Sequence, residues 1–293
     1  MSDPDGAPPL FPTERTAVLT AHFGDLSWVA LLVDRVRSTF PEIADERIYV
    51  IDQDRTATSQ DALRARLGNV QILSWPKSPP HFVATGHDHA HALNLAVSHI
   101  DCDYLMLFDS DAHPVQPGPR SRLAELLREN DALLASRSHG TESLPCFMVF
   151  GPRVDRSRLR FDEDQLEHDV DTGRRIFRQL TALGLKAELL RPRGAFGGRW
   201  GSFYLDGTVY HHRSASFAGS EDWRLQAKFT YWRRESEFFD RRVLAGRYEL
   251  SRSESLHAAA LAFRRRAPEQ AGAFARRLLG RRLRTFLKRR LRA

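Results

Sequence analysis

Between Thr16 and Asp109 the chain alternates two hydrophobic periodicities, and this alternation restricts the possible folds more than any other feature. Short apolar runs at Thr16–Ala21, Arg47–Asp52, Val70–Trp75 and Tyr104–Phe108 have the length of strands. Between the first two lies Leu26–Phe40, with Trp28, Leu31, Leu32, Val36 and Phe40 at helical spacing; Ala90–Ile100 forms a helical segment ahead of the last. Strands alternating with helices predict an α/β fold with a mostly parallel sheet flanked by helices. Ligands of such sheets bind beyond the carboxyl ends of the strands. Asp25, Asp52, Asp54, Asp109 and Asp111 all fall at those ends. One edge of the sheet is therefore expected to be rich in carboxylates.

The second half is less regular. Arg120–Asn130 and Thr172–Leu183 read as helices, and Ala132–Ala135, Cys146–Phe150, Lys186–Leu190 and Thr208–His212 as strands. Pro192–Gly207, rich in Gly and aromatics, is expected to form a loop near a site. At 293 residues one large domain with an appendage is the natural organisation. No segment approaches the roughly 20 apolar residues of a membrane span, and the polar, Pro-rich start has no signal-peptide core, so cytoplasmic residence is the expectation. The two cysteines, Cys102 and Cys146, belong to no close Cys or His cluster, which argues against a disulfide scaffold or a zinc site.

The apolar run Tyr104–Phe108 closes on Asp109-Ser110-Asp111 and then Ala112-His113-Pro114, which cannot continue the strand. Two carboxylates separated by one residue suit a hard divalent cation shared with a nucleotide diphosphate, because such ions take few protein oxygens and complete their shell with phosphate and water. The bland reading of the same residues is a turn or a helix cap. The acidic ends of the earlier strands favour the first reading.

The order of parts resembles the GT-A glycosyltransferases, in particular the family 2-like inverting enzymes. The resemblance is carried by the first strand, the Asp-bearing second strand, Ala92-Leu93-Asn94-Leu95-Ala96 on a helix, and the Asp-x-Asp. It covers residues 16 to 115 well and 140 to 213 loosely. It implies a nucleotide-sugar-binding half (15–115) and an acceptor-binding half (116–235); outside them a disordered start (1–14) and a basic helical C-terminal extension (236–293) are expected. By this resemblance Ala21, His22, Asp52, Asp54, Asn94 and Ser110 contact the nucleotide sugar, of UDP or GDP type. Asp109 and Asp111 hold Mn²⁺ or Mg²⁺ on the diphosphate, and a late-strand His, His212 or else His211, adds a ligand. The two are expected on opposite faces of a strand, so one at most reaches the metal.

In that family a carboxylate opening a second-half helix takes the proton of the acceptor hydroxyl. Asp171, and after it Asp169, matches by position; the departure is that Asp171-Thr172-Gly173-Arg174-Arg175 replaces the family's acidic pair and Leu-x-x-Arg run. Helix capping is the bland alternative for Asp171. His87, His89 and His91 read first as a polar surface; the resemblance would let one of them, or Asp88, approach the diphosphate or acceptor. Trp200 and Phe203 read as core packing or as sugar-stacking rings.

The net charge of +7 is unevenly placed. From Phe274 onward Leu278, Leu279, Leu283, Phe286, Leu287 and Leu291 recur at helical spacing among Arg and Lys. Such a helix suits an anionic membrane surface, peripheral on the inner face, or packs on protein with its basic face solvated. The leading expectation is a metal-dependent glycosyltransferase with a glycan, lipid-linked or small-molecule hydroxyl acceptor. The alternatives are a sugar-phosphate nucleotidyltransferase, which normally needs a Gly-rich basic loop that Thr20–Asp25 lacks, and a basic membrane- or nucleic-acid-binding protein. The tail has no aromatic interleaving of the kind a single-strand nucleic-acid groove uses, so no nucleic-acid partner is expected.

Overall fold

The computed structural model describes residues 11–22, 25–53, 56–74, 85–115, 119–136, 142–161, 172–212 and 235–263, with backbone alone at 85–88. It divides into two compact units, Met1–Gly219 and Ser220–Ala293.

The first unit is α/β. Its main sheet has seven strands: β1 (Thr16–His22), β2 (Ile48–Asp52), β3 (Gln71–Leu73), β4 (Tyr104–Asp109), β6 (Ala132–Ser136), β7 (Ser143–Phe150) and β8 (Ala187–Leu190), in the order β3-β2-β1-β4-β7-β6-β8. All adjacent pairs are parallel except those made by β7. A smaller antiparallel sheet, β5-β11-β10-β9, is built from β5 (Ala112–Pro114), β9 (Arg193–Gly194), β10 (Ser202–Tyr204) and β11 (Val209–His211).

The helices are α1 (Leu26–Thr39), α2 (Ala57–Leu67), α3 (Thr85–His99), α4 (Pro119–Glu129) and α5 (Ile176–Ala182). Two buried clusters sit on the two faces of the main sheet. One joins Val18, Met106 and Phe108 to Val29, Val33 and Val36 of α1, Leu63 and Leu67 of α2, and Leu123 of α4. The other joins Leu19, Leu105 and Leu107 to Leu93, Ala96 and Val97 of α3 and Ile176 and Leu180 of α5. Successive residues of β4 thus enter opposite layers, as the pleat requires. That two-sided burial is why the strands read as continuous apolar runs.

Three local features depart from the sequence-based expectation. Ala112-His113-Pro114 leaves β4 as expected but forms a strand of its own, β5, at an edge where Pro114 costs no ladder hydrogen bond with an outer neighbour. The Gly-rich stretch 192–207, expected as a loop, carries β9 and β10 with 3₁₀ turns. Residues 57–67 form α2, capped by the Thr56 hydroxyl, which accepts from the Ser59 N–H at 3.0 Å.

The second unit shows two helices, 235–244 and 252–263. Ser251 and Glu254 form a reciprocal capping box at the second: Ser251 N–H donates to Glu254 Oε2 at 2.8 Å and Glu254 N–H to Ser251 Oγ at 3.3 Å. Arg242 and Arg247 also bond Glu254. The Ser251 backbone N–H, its hydroxyl and Arg242 hold the Glu254 carboxyl down at about 2. The basic stretch 274–291 lies outside the described residues.

Candidate metal and nucleotide site

The strand order 3-2-1-4 places β1 between β2 and β4, so the chain winds away from β1 in opposite directions and leaves a crevice at the carboxyl ends of these strands. Ala21 pairs with both Ile51 and Asp109, and His22 with Asp52, so the ends of the three strands lie side by side. Ala21, His22 and Asp52 are buried there. Asp52 Oδ1 accepts from the Ser59 hydroxyl of α2 at 2.9 Å, and Gln53 N–H donates to His22 O at 3.0 Å, which fixes the rim. Asp25, the remaining acid among these strand ends that the structure describes, is a helix cap: its Oδ1 accepts from Ser27 N–H at 2.8 Å.

Asp109 ends β4, the half-buried Ser110 occupies the turn, and Asp111 precedes β5. β11 pairs antiparallel with β5, His211 opposite Ala112, and His212 N–H donates to Asp111 O at 3.0 Å. This register carries His211 to the carboxylates. Its Nε2 lies 3.4 Å from Asp111 Oδ1 and 3.9 Å from Asp109 Oδ2. One ligand atom from each of Asp109, Asp111 and His211 falls within 4.8 Å of the others. Burial disfavours a charged His211, but Cys146 and the Asp111 carboxylate outweigh it and hold the imidazole well above its ordinary value.

Those separations exceed the 2.7–3.2 Å of hydrogen bonds. Two atoms each about 2.1 Å from a metal at angles of 90–110° lie about 3.0–3.5 Å apart; the His211–Asp111 separation falls in that range, and the His211–Asp109 separation lies just above it. Two carboxylates and an imidazole are a donor set for a hard or borderline divalent cation. The residues present therefore fit a metal.

Of the two late-strand histidines offered as a third ligand, the structure brings His211 to the carboxylates and engages His212 elsewhere. Trp200 Nε1, which can only donate, bonds His212 Nε2 at 3.1 Å, so that nitrogen is an acceptor. His212 Nδ1 meets the Tyr210 hydroxyl at 2.8 Å, and the Trp28 ring lies 4.4 Å from the imidazole. Both nitrogens of a fully buried ring are thus engaged in the aromatic cluster. Strand alternation sends His211 the other way. His113 belongs to the buried side as well; burial, with Arg35 and His212 near it, pulls it down to about 3.

Asn94 also has a local role. Its Nδ2 donates to Phe161 O at 3.1 Å and its Oδ1 accepts from Phe161 N–H at 2.7 Å, tying α3 to the segment that runs toward residues 162–171. Trp200 is buried on His212, and the ring of Phe203 stands edge-on to Tyr210 at 5.4 Å, so packing accounts for both aromatics. Asp54, Asp169 and Asp171 lie outside the described residues. Among residues to which no role had been attached, Gln53 proves to line the crevice, and His89 of the α3 histidine run is drawn to it: His89 Nε2 is 3.6 Å from Asp109 Oδ1 and His89 Nδ1 is 3.4 Å from Gln53 Oε1.

No known protein family matches the sequence, and no curated protein does. Solved structures to which the chain is similar include the mannosyltransferase PcManGT from Pyrobaculum calidifontis, in complex with GDP-Man and Mn²⁺, at 15% identity and a TM-score of 0.46 over 89% of this chain and 75% of that one. Another is the bifunctional IspDF from Campylobacter jejuni, at 14% identity and a TM-score of 0.40 over 61% of this chain and half of that one. A third is the 4-diphosphocytidyl-2C-methyl-D-erythritol synthase from Anaerococcus prevotii, at 12% identity and a TM-score of 0.36 over 60% of this chain and 88% of that one.

Proposed function

We propose that the chain is a divalent-cation-dependent GT-A glycosyltransferase, family 2-like and inverting, that moves a sugar from a UDP- or GDP-type donor to a hydroxyl acceptor. The observation that carries this reading is the convergence of Asp109, Asp111 and His211 at the crevice between β1 and β4. Departure of a nucleoside diphosphate develops negative charge on the leaving group, and a bound Mn²⁺ or Mg²⁺ supplies electrostatic stabilisation there. Asp109, Asp111 and His211 hold that ion. Ala21, His22, Asp52 and Asp54 take the nucleoside side of the donor, and Ser110 sits between the two carboxylates.

Inversion requires a base on the face opposite the leaving group. Asp171, and after it Asp169, is assigned this role by resemblance to the family. The bidentate bond from Asn94 to Phe161 anchors the start of the segment that carries both acids.

The charge distribution of the sequence supports a lipid-linked acceptor at an anionic membrane. Residues 264–293 hold 12 of the 44 Lys and Arg and one of the 37 Asp and Glu, which leaves 32 basic and 36 acidic residues in the rest of the chain. The acidic remainder would be repelled by an anionic surface, and the tail supplies the attraction.

The test is a thermal-shift panel of UDP-, GDP-, dTDP- and CMP-linked sugars with and without Mn²⁺, in the full chain and in Asp111→Asn. One class should raise the transition only with metal, because binding to the native state stabilises by mass action. Asp111→Asn should remove that shift. A shift with CTP or UTP alone, and pyrophosphate release on adding a sugar phosphate, would favour the nucleotidyltransferase instead. No shift with any nucleotide would overturn the proposal.

A further inference from the structure

Among the described residues the large apolar side chains left exposed are Leu244, Leu256 and Phe263, and all three belong to the second unit. A single exposed Leu is ordinary, but Leu256 and Phe263 lie two turns apart on the helix 252–263 and share one side of it. Each is 69% exposed, and the exposed Ala259 and Ala260 stand between them. The opposite side of the helix carries the buried Ala258 and Leu261. The helix is thus apolar on two sides, one buried and the other open, and an aligned open stripe of this kind marks an interaction surface.

The charges around the stripe have one sign. Glu254, the acid of this helix, is bound by Arg242 and Arg247 and by the Ser251 N–H. Apart from the apolar four, the exposed residues of the helix are Arg252, Ser253 and His257. Arg264-Arg265-Arg266 follow Phe263 directly in sequence, and residues 252–293 hold 13 Lys and Arg against Glu254 and Glu269 alone. An apolar stripe with a basic margin is complementary to an anionic bilayer, whose acyl boundary takes Leu and Phe and whose headgroups take Arg. A second copy of the chain would bring two strongly basic segments together and be repelled. A nucleic acid offers phosphates but no apolar phase for Leu256 and Phe263. No described helix is long and apolar enough to cross a membrane. A stripe along one side suits a helix that lies in the interface plane.

We infer that helix 252–263 and the basic segment after it form one docking surface for an anionic lipid bilayer, with Leu256 and Phe263 inserted at the headgroup–acyl boundary and the arginines on the headgroups. This adds an apolar contact, at named residues, to the charge attraction of the tail. The inference rests on the reading above only for the lipid-linked acceptor, because lipid binding is measured without nucleotide or metal. The two forces differ in their response to salt. Charge attraction is screened over about 10 Å at 0.1 M ionic strength, whereas apolar insertion is not. Binding should therefore weaken with salt and keep a component that depends on Leu256 and Phe263.

The experiment is co-sedimentation of the full-length protein with vesicles of phosphatidylcholine, alone or mixed with phosphatidylglycerol, for three proteins: wild type, Leu256→Ser combined with Phe263→Ser, and Arg264→Gln combined with Arg265→Gln and Arg266→Gln. Wild type should bind the phosphatidylglycerol vesicles and not the neutral ones. The Leu256 and Phe263 variant should bind them about tenfold or more weakly at every salt concentration, because two large apolar side chains lose their burial. The arginine variant should be weakened chiefly at low salt. Wild-type binding by the Leu256 and Phe263 variant would overturn the inference, since charge alone would then hold the protein, as it does on a nucleic acid. Absence of vesicle binding by the wild type would overturn it too. A dimer that this variant abolishes, or a lowered urea midpoint in this variant, would equally overturn it, because a second copy or residues 274–291 of the same chain would then cover the stripe. The thermal shift with donor and Mn²⁺ should be the same in all three proteins; its absence from the wild type would count against the glycosyltransferase reading and leave the lipid surface standing.

Discussion

Gly201→Ala tests how tightly the aromatic cluster behind the metal ligands is built. Gly201 has φ +65°, in the left-handed region, and an added Cβ would sit 2.5 Å from Tyr210 Oη and 2.8 Å from Cε2 and Cζ. Tyr210 has nowhere to retreat. It is fully buried, with the rings of Phe196, Phe203 and His113 at 6.3, 5.4 and 5.5 Å and its hydroxyl on His212. The left-handed backbone costs an Ala about 1 kcal/mol and forced overpacking about 1–3 kcal/mol. Losing the Tyr210–His212 bond adds about 1 kcal/mol, for a total of about 3–5 kcal/mol. Urea unfolding of the full chain reads this directly. Tyr210→Phe removes the atom in the worst contact, so Gly201→Ala combined with Tyr210→Phe should be less destabilised than the two single losses predict, by about 1 kcal/mol or more. A loss below about 1 kcal/mol for Gly201→Ala, or strict additivity in the double variant, would refute the packing argument.

The two adjacent histidines should separate stability from metal binding: His212→Gln should cost about 2–4 kcal/mol by stranding Trp200 and Tyr210 while Mn²⁺ affinity survives in the folded fraction, and His211→Gln should lose Mn²⁺ with little change in urea midpoint. Asn94→Ala removes both bonds to Phe161 and should lower stability by about 2–4 kcal/mol, read by chemical denaturation, with Mn²⁺ affinity retained. The Glu254 capping box gives a pH signature. Its folded value of about 2 lies below the ordinary 4.5, so the contribution is complete above pH 4.5 and lost as pH falls through 2. Amide exchange across 252–263 should speed up over that window, and Glu254→Gln should flatten the dependence.

How much of this was legible in the sequence follows from which forces act locally. Strands buried on both faces must be apolar throughout, so β1, β2 and β4 could be read directly, as could the acids at their ends. Weakly amphipathic α2 buries only Leu63 and Leu67 and leaves little periodicity to find. β5 is three residues long and contains a proline, and it exists because β11 pairs with it from about 95 residues further along. The choice between His211 and His212 shows the limit most clearly. Alternation states that the two rings part, but which ring packs inward is decided by Trp28, far from β11 in sequence, together with Trp200 and Tyr210. His89 was one of three candidates in a histidine run at a helix start, and only the docking of α3 beside β4 singles it out.

The division of ligands between two sheets has a consequence for how the site is held. Asp109 ends the parallel sheet, whereas His211 belongs to the antiparallel one, and Asp111 lies at the passage between them, its carbonyl accepting from His212 N–H. The proposed metal site therefore depends on the docking of the small sheet and not on the Asp-x-Asp alone. The buried Trp28–His212–Trp200–Tyr210 cluster supports that docking: the ring of Trp28 in α1 lies against His212, and Trp200 and Tyr210 hydrogen-bond the same imidazole, one residue from His211. An ion that bridges Asp109 to His211 would in turn stabilise the small sheet by its binding energy. His211 and His212, side by side, thus divide their surroundings: the first faces Asp109 and Asp111, and the second joins the aromatic cluster behind them.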